Sequence, residues 1–334
     1  MKSSALAFQL PDPDLMPVAL CTATLAPVSA PKPIGSSWLR PYPGVTVPGW
    51  LALFLLASVL VGGEGLAQSE SGSRSDDKKR VQEKSFIRYR SISYLKHDEQ
   101  TDLLCDLFVP EGKGPFPAIL MIHGGAWRSG TKLQMKWHAE SAARNGFVAM
   151  SINYRHAPRY KWPAQIEDCR EAVRWMLKNA DRYRIDRKKI AVWGYSAGGH
   201  LATFLATKPE PGHPRLPIRC VVCGGGPVDL TLFSKDFPFL VYFLGATRRE
   251  DPKKYEQASP ITHLTRDDPP LFFYHGENDS LVPLEGVKKM NAQAKKLGIR
   301  SELVVVSGKE HLLTFFDQAS YDRGLDFIKR ELTR

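Results

Sequence analysis

The segment Gly194-Tyr195-Ser196-Ala197-Gly198-Gly199-His200, directly after the apolar run Ile190 to Trp193, constrains the fold more than any other part of the chain. It reads as strand, sharp turn and helix. Such a turn lifts the Ser196 hydroxyl above a sheet edge, and it requires Gly194 and Gly198 to carry no side chain where strand and helix nearly touch. A serine displayed in this way is a candidate nucleophile. Upstream, the buried-strand pattern Pro117 to Ile122 ends in His123-Gly124-Gly125-Ala126-Trp127, a loop whose amides can face the same site. Downstream, Leu271 to Phe273 runs into Tyr274-His275-Gly276-Glu277-Asn278-Asp279, and Leu303 to Val306 into Gly308-Lys309-Glu310-His311. Serine, acid and histidine therefore follow one another along the chain, each just after an apolar strand.

The remaining periodicities supply the scaffold. Phe86 to Tyr94 and Leu103 to Val109 read as an antiparallel entry pair. Apolar runs at Pro117 to Ile122, Phe147 to Asn153, Ile190 to Trp193, Ile218 to Cys223, Leu271 to Tyr274 and Leu303 to Val306 then alternate with helical patterns. The helices are expected over Thr131 to Asn145, Pro163 to Asn179, Ala197 to Thr207, Leu284 to Leu297 and Leu313 to Leu332. Alternation of this kind predicts an α/β protein, with a mostly parallel central sheet and helices on both faces. Reactive groups then collect at the carboxyl ends of the strands, where Ser196, Asp279 and His311 all fall. The long interruption Pro227 to Pro270 holds Phe233, Phe237, Phe239, Tyr242 and Phe243, and reads either as a small cap or as a buried crossover.

The chemistry assigns roles. Serine needs a positioned base, and His311 is placed for it, in a loop after the last strand with a helix behind it. His123, His200, His263 and His275 read as packing or hydrogen-bonding residues. Asp279 is favoured over Glu277 as the acid that orients the imidazole, because it lies further into its loop. The amide of Ala197, with one or two from Gly124, Gly125 and Ala126, would hold the oxyanion. Trp127, Tyr195, Phe237, Phe239 and Tyr242 are the candidates for a substrate pocket.

Composition bounds the setting. Residues 1–67 carry Lys2, Lys32 and Arg40 against Asp12, Asp14 and Glu64, so the formal charge of +11 comes wholly from the rest of the chain. These basic residues are scattered and accompany no nucleic-acid motif, which reads as a solvated basic surface. The apolar stretch 50–61 is short against the roughly 20 residues of a membrane span and suits a signal-peptide core, with Gly65-Leu66-Ala67 offering a cleavage site. We therefore expect a presequence over 1–67, a polar linker over 68–84 and a catalytic domain over 85–334. The product would be secreted or periplasmic, and a membrane anchor arises only if segment 45–63 stays uncleaved. The nearest basic residue before the apolar core is Arg40, so the natural start is expected downstream of Met1. Cys105, Cys169, Cys220 and Cys223 lie in apolar segments and read as free buried thiols. Cys220 and Cys223, three apart on a strand, point to opposite faces, so no metal site is expected.

Together HGGAW, NYRHAP with PAQIEDC after it, GYSAGGHLA, ASPITH and HGENDSLVP resemble the esterase/lipase branch of the α/β-hydrolases that includes bacterial feruloyl and acetylxylan esterases. The resemblance covers about residues 85 to 334. It implies an α/β-hydrolase fold with a small cap insertion, a triad on Ser196, Asp279 and His311, no cofactor, and a serine carboxylesterase acting on short-chain or aromatic acyl esters. The substrate would be a small molecule or an ester borne on a polysaccharide. Two departures are visible: Ala126 and Tyr195 stand where relatives of hormone-sensitive lipase carry a third glycine and an acid, and Gly308-Lys309-Glu310-His311 replaces the usual G-x-G-H. An arylformamidase-like amide hydrolase shares the HGG and G-x-S-A-G motifs, but the export signal speaks against its intracellular role. A prolyl-oligopeptidase-type peptidase shares HGxxDxxVP yet would need a propeller domain. A non-catalytic binding module would be expected to lose a triad member.

Overall fold

The computed structural model describes residues 85–334. The expected presequence, its apolar core and the polar linker lie outside the described residues. Eight strands form one sheet: β1 (Phe86–Lys96), β2 (Asp102–Pro110), β3 (Phe116–Ile122), β4 (Val148–Ile152), β5 (Ile185–Tyr195), β6 (Ile218–Gly224), β7 (Leu271–Gly276) and β8 (Ser301–Val306). Their order is β1-β2-β4-β3-β5-β6-β7-β8. β2 runs antiparallel to both β1 and β4, and every other neighbouring pair is parallel. The sequence pattern explains the difference. β4 and β7 are buried at every residue, as strands covered on both faces must be, whereas β1 keeps an exposed side at the sheet edge.

Helices α1 (Lys136–Arg144), α2 (Ala164–Lys178), α3 (Ala197–Thr207), α4 (Pro238–Leu244), α5 (Pro252–Gln257), α6 (Leu284–Lys296), α7 (His311–Phe315) and α8 (Gln318–Thr333) cover the sheet. One core layer takes Ile166, Cys169, Val173 and Met176 of α2 with Leu201 of α3 and Met290 of α6. The opposite layer takes Ala139 and Ala142 of α1 with Tyr321, Leu325 and Ile328 of α8. Cys223 falls in the first layer and Cys220 in the second, as strand parity requires. All four cysteines among the described residues are free and buried, and burial pushes the Cys223 thiol up to about 11.

Two expectations are refined. The single helix over Leu313 to Leu332 breaks into α7 and α8, because the Asp317 carboxylate caps α8 by accepting the Ser320 amide at 2.9 Å. The helix over Thr131 to Asn145 starts as a 3-10 turn, Lys132–Met135, before α1. The long interruption is a cover. Every residue of α3 is buried, and Leu240 and Phe243 of α4 with Tyr255 and Ala258 pack into the same core layer. A helix apolar all round needs such a roof.

Candidate active site

Ser196 occupies the turn between β5 and α3 with φ 54° and ψ −121°, a region that L-residues avoid. The crossing is tight enough to demand glycine on both sides. A Cβ on Gly194 would lie 2.0 Å from the Gly198 carbonyl oxygen, and one on Gly198 would lie 2.0 Å from that of Ile122. The Ser196 amide donates to Gly224 O at 2.8 Å, which ties the turn to the end of β6.

His311 opens α7, and its Nε2 lies 2.9 Å from Ser196 Oγ while Nδ1 lies 2.6 Å from Asp279 Oδ2. The three side chains expected from the sequence are thus brought together across 115 and 32 residues of chain. The Asp279 carboxylate is wholly buried. Burial alone would raise its proton affinity, but hydrogen bonds from His275 and His311 outweigh it and hold the group well below the usual carboxylate range. Glu277 does not compete for this place. It is exposed, and its Oε2 accepts the Ser307 hydroxyl at 2.7 Å and the Gly308 amide at 2.9 Å, closing the neighbouring turn.

The His123 to Trp127 loop passes beside the serine. A Cβ on Gly124 would stand 3.9 Å from Ser196 Oγ, and Gly125, Ala126 and Trp127 all have positive φ, at 111°, 52° and 59°. The amides of Gly125, Ala126 and Ala197 donate to no acceptor among the described residues. Such unspent donors beside a nucleophile can receive a developing oxyanion. The loop is pinned from behind. His123 Nδ1 is 2.7 Å from Gly124 O, its ring stacks on Tyr154 at 4.3 Å, and the Tyr154 hydroxyl donates to His123 O at 3.1 Å. Burial, reinforced by nearby His156, pushes the His123 imidazole down to about 3, so it stays neutral.

Two residues expected in a substrate pocket serve the frame instead. Trp127 is only 3% exposed: it stacks on Phe243 at 4.2 Å and donates Nε1–H to His200 Nδ1 at 3.2 Å. His200 Nε2 in turn donates to Ala258 O at 2.8 Å, and burial pushes this imidazole down to about 4. Tyr195 is 5% exposed and its hydroxyl donates to the His311 carbonyl oxygen, so it braces the base from below. Phe237, Phe239 and Tyr242 are half-buried on α4 and at its entry, with the Arg128 guanidinium 4.6 Å over the Tyr242 ring. Phe233 and Phe243, from the same aromatic cluster, are buried core.

Sequence reasoning missed the contact of His275 with the acid, at 3.1 Å from Nε2 to Asp279 Oδ2, although its place four residues before Asp279 at a strand end was visible. It also left NYRHAP and PAQIEDC unconnected. Asp168 of the second motif accepts the Arg155 amide and Nε of the first, both at 2.8 Å, which fixes the loop after β4 against α2. Among the described residues no cluster of three or more His, Cys, Asp or Glu is placed to hold a metal ion.

Known proteins share this arrangement of elements. The chain is 34% identical over 198 residues to "Probable carboxylic ester hydrolase LipM" of Mycobacterium tuberculosis, covering 55% of this chain and 46% of that protein. It is 33% identical over 188 residues to "Esterase LipC" of the same organism, covering 51% and 46%. It therefore spans about half the length of these relatives. A solved carbohydrate esterase from gut microbiota superposes with a TM-score of 0.66 at 26% identity, over 76% of this chain and 99% of that one. Esterase 2 of Thermogutta terrifontis superposes with a TM-score of 0.61 at 26% identity, over 72% and 90%. Residues 105–294 match the BD-FAE family model. With its mostly parallel eight-stranded sheet, the chain belongs to the BD-FAE family of the α/β-hydrolase esterases.

Proposed function

We propose that the protein is an exported serine carboxylesterase that hydrolyses short-chain or aromatic acyl esters, including those carried on polysaccharides, through an acyl-enzyme. The observation that carries this reading is the hydrogen-bonded chain from Ser196 Oγ through His311 to buried Asp279, beside amides that have no other acceptor. His311 Nε2 takes the hydroxyl proton as Oγ bonds to the ester carbonyl carbon, and the carbonyl oxygen becomes an oxyanion held by the amides. Asp279 stays ionised and balances the imidazolium. Collapse of the intermediate breaks the bond to the alcohol oxygen, which leaves with the proton from His311. Water then repeats the sequence on the acyl-enzyme and releases the acid. The carbohydrate esterase and the esterases among the similar proteins favour esters over other acyl compounds, and the half-exposed aromatics of α4 offer an apolar wall for an acyl or aryl group.

The test is hydrolysis of acetyl, butyryl and feruloyl esters, with N-formylkynurenine alongside, by the wild type and by Ser196→Ala. Ester turnover with a covalent acyl adduct at Ser196 in mass spectra is expected. The variant should fall by several orders of magnitude, because binding and oxyanion donors alone retain only about 10³ to 10⁴ over water. Esterase activity that survives in the variant would refute the mechanism.

A further inference from the structure

The buried Asp279 carboxylate is ringed by four donor groups. Oδ1 accepts the amides of Leu281 at 3.0 Å and Val282 at 2.8 Å. Oδ2 accepts His311 Nδ1 at 2.6 Å, and His275 Nε2 stands 3.1 Å from the same oxygen. The same Nε2 lies 3.0 Å from the Val282 carbonyl oxygen. Both of its neighbours are acceptors, so Nε2 carries the hydrogen. Nδ1 is buried and has no hydrogen-bond partner among the described residues. The Nε2 hydrogen is therefore shared between the Val282 carbonyl oxygen and the carboxylate.

We propose that His275 is a positioning residue of the triad, a fixed donor that holds Asp279 Oδ2 in line with His311 Nδ1. The assignment rests on the serine-esterase reading above. Space alone does not call for a histidine at this place. A leucine or phenylalanine would fill the buried end of β7 equally well, but would leave one lone pair of a wholly buried carboxylate without a donor. That oxygen would then find its second donor by turning away from His311 or by admitting water. The two amides on Oδ1 keep the loop itself in place, so the expected damage is to the alignment of the base and not to the fold.

The experiment compares His275→Leu, His275→Asn and His275→Gln in the full chain. The glutamine amide reaches about as far as Nε2, whereas the asparagine amide stops short of Oδ2 while keeping the site polar. For Leu and Asn, kcat should fall about tenfold to a hundredfold with KM nearly unchanged, and Gln should recover most of it, since a charge-assisted hydrogen bond is lost in the first two and kept in the third. A proton NMR signal far downfield, from the short His311 to Asp279 bond, should move or broaden in Leu and Asn and persist in Gln. Recorded in a Ser196→Ala background, this signal does not depend on turnover. Should Leu fail to fold, the Asn and Gln pair carries the comparison. Wild-type kcat together with an unmoved downfield signal in folded Asn or Leu would overturn the proposal. Activity surviving in Ser196→Ala alone would overturn the esterase mechanism instead, so the two failures are distinguishable.

Discussion

Acid should unfold this protein earlier than its carboxylates would dictate. Burial depresses four imidazoles of the folded chain from about 6.5, His123 and His138 to about 3 and His156 and His200 to about 4, and lowers His263 as well. As pH falls below 6.5 the unfolded chain takes up a proton at each of the four, while the fold takes none there until about pH 3 to 4. Proton uptake therefore favours the unfolded state across that window, and stability declines as pH drops. At pH 5.5, one unit below the unfolded value, each of the four sites costs on the order of 1 kcal/mol, several kcal/mol together. That is a large share of a typical total of roughly 5 to 15 kcal/mol. Asp168 and Asp268, whose carboxyls burial raises, work in the opposite direction, so the histidine share is read from the variant below. Guanidinium unfolding at pH 8.0 and 5.5 measures the difference. His138→Phe provides the internal control: both ring nitrogens of His138 lack partners among the described residues, and the ring sits 4.8 Å from Phe315 and 5.2 Å from Tyr321. The variant should be more stable than wild type at pH 8.0 and should lose about a quarter of the pH dependence. Equal stability at the two pH values, or an unchanged difference in the variant, would refute the reasoning.

The strained turn makes a second prediction. Glycine occupies φ 54°, ψ −121° far more readily than alanine or serine, so Ser196→Gly should be inactive yet more stable than Ser196→Ala by about 1 kcal/mol in the same unfolding assay. Asp279→Asn should lower kcat by about 10⁴, while Glu277→Gln, altered at an exposed turn, should leave it within a few fold. Phe239→Ala with Tyr242→Ala should raise KM for aryl and medium-chain esters more than for acetyl esters, each lost contact being worth about 1 to 3 kcal/mol, and the protein should stay folded. Phe243→Ala should instead cost about 3 to 5 kcal/mol of stability, because that ring is buried against Trp127.

What the sequence made legible was local. The elbow glycines, the HGG loop and the strand ends bearing Asp279 and His311 each announce themselves within a few residues, because tight turns and strand ends depend on neighbours in the chain. The contacts that organise the site are long-range. Trp127 meets His200 across 73 residues and Tyr195 meets His311 across 116, and no spacing rule shows that these rings turn inward. The exposure of the aromatic cluster depends on the same long-range packing. Composition brings Phe233, Phe239, Tyr242 and Phe243 together, but only the packing of α4 on the core decides which of them are buried. The break between α7 and α8 did have a local signal, the Asp317 cap followed by Ser320, masked by the apolar period running through it.

The polar frame of the site follows one principle. Each of its three walls is fixed by an imidazole, His123 on Gly124 O, His200 between Trp127 and Ala258, and His275 beside Asp279, and burial keeps the first two neutral. A neutral ring can donate one hydrogen bond deep in the core without bringing a charge that would compete with the oxyanion or with Asp279. Lysine or arginine would supply the donor but also the charge. Asparagine or glutamine would supply it on a softer side chain with more rotamers to freeze. Histidine offers a rigid ring that stacks, as His123 does on Tyr154, and donates along a fixed vector. The cost falls at acid pH, where burial holds His123 down to about 3 and His200 to about 4 while the unfolded chain takes up their protons. The same burial that keeps the amide loop in place is therefore expected to weaken the fold as pH drops.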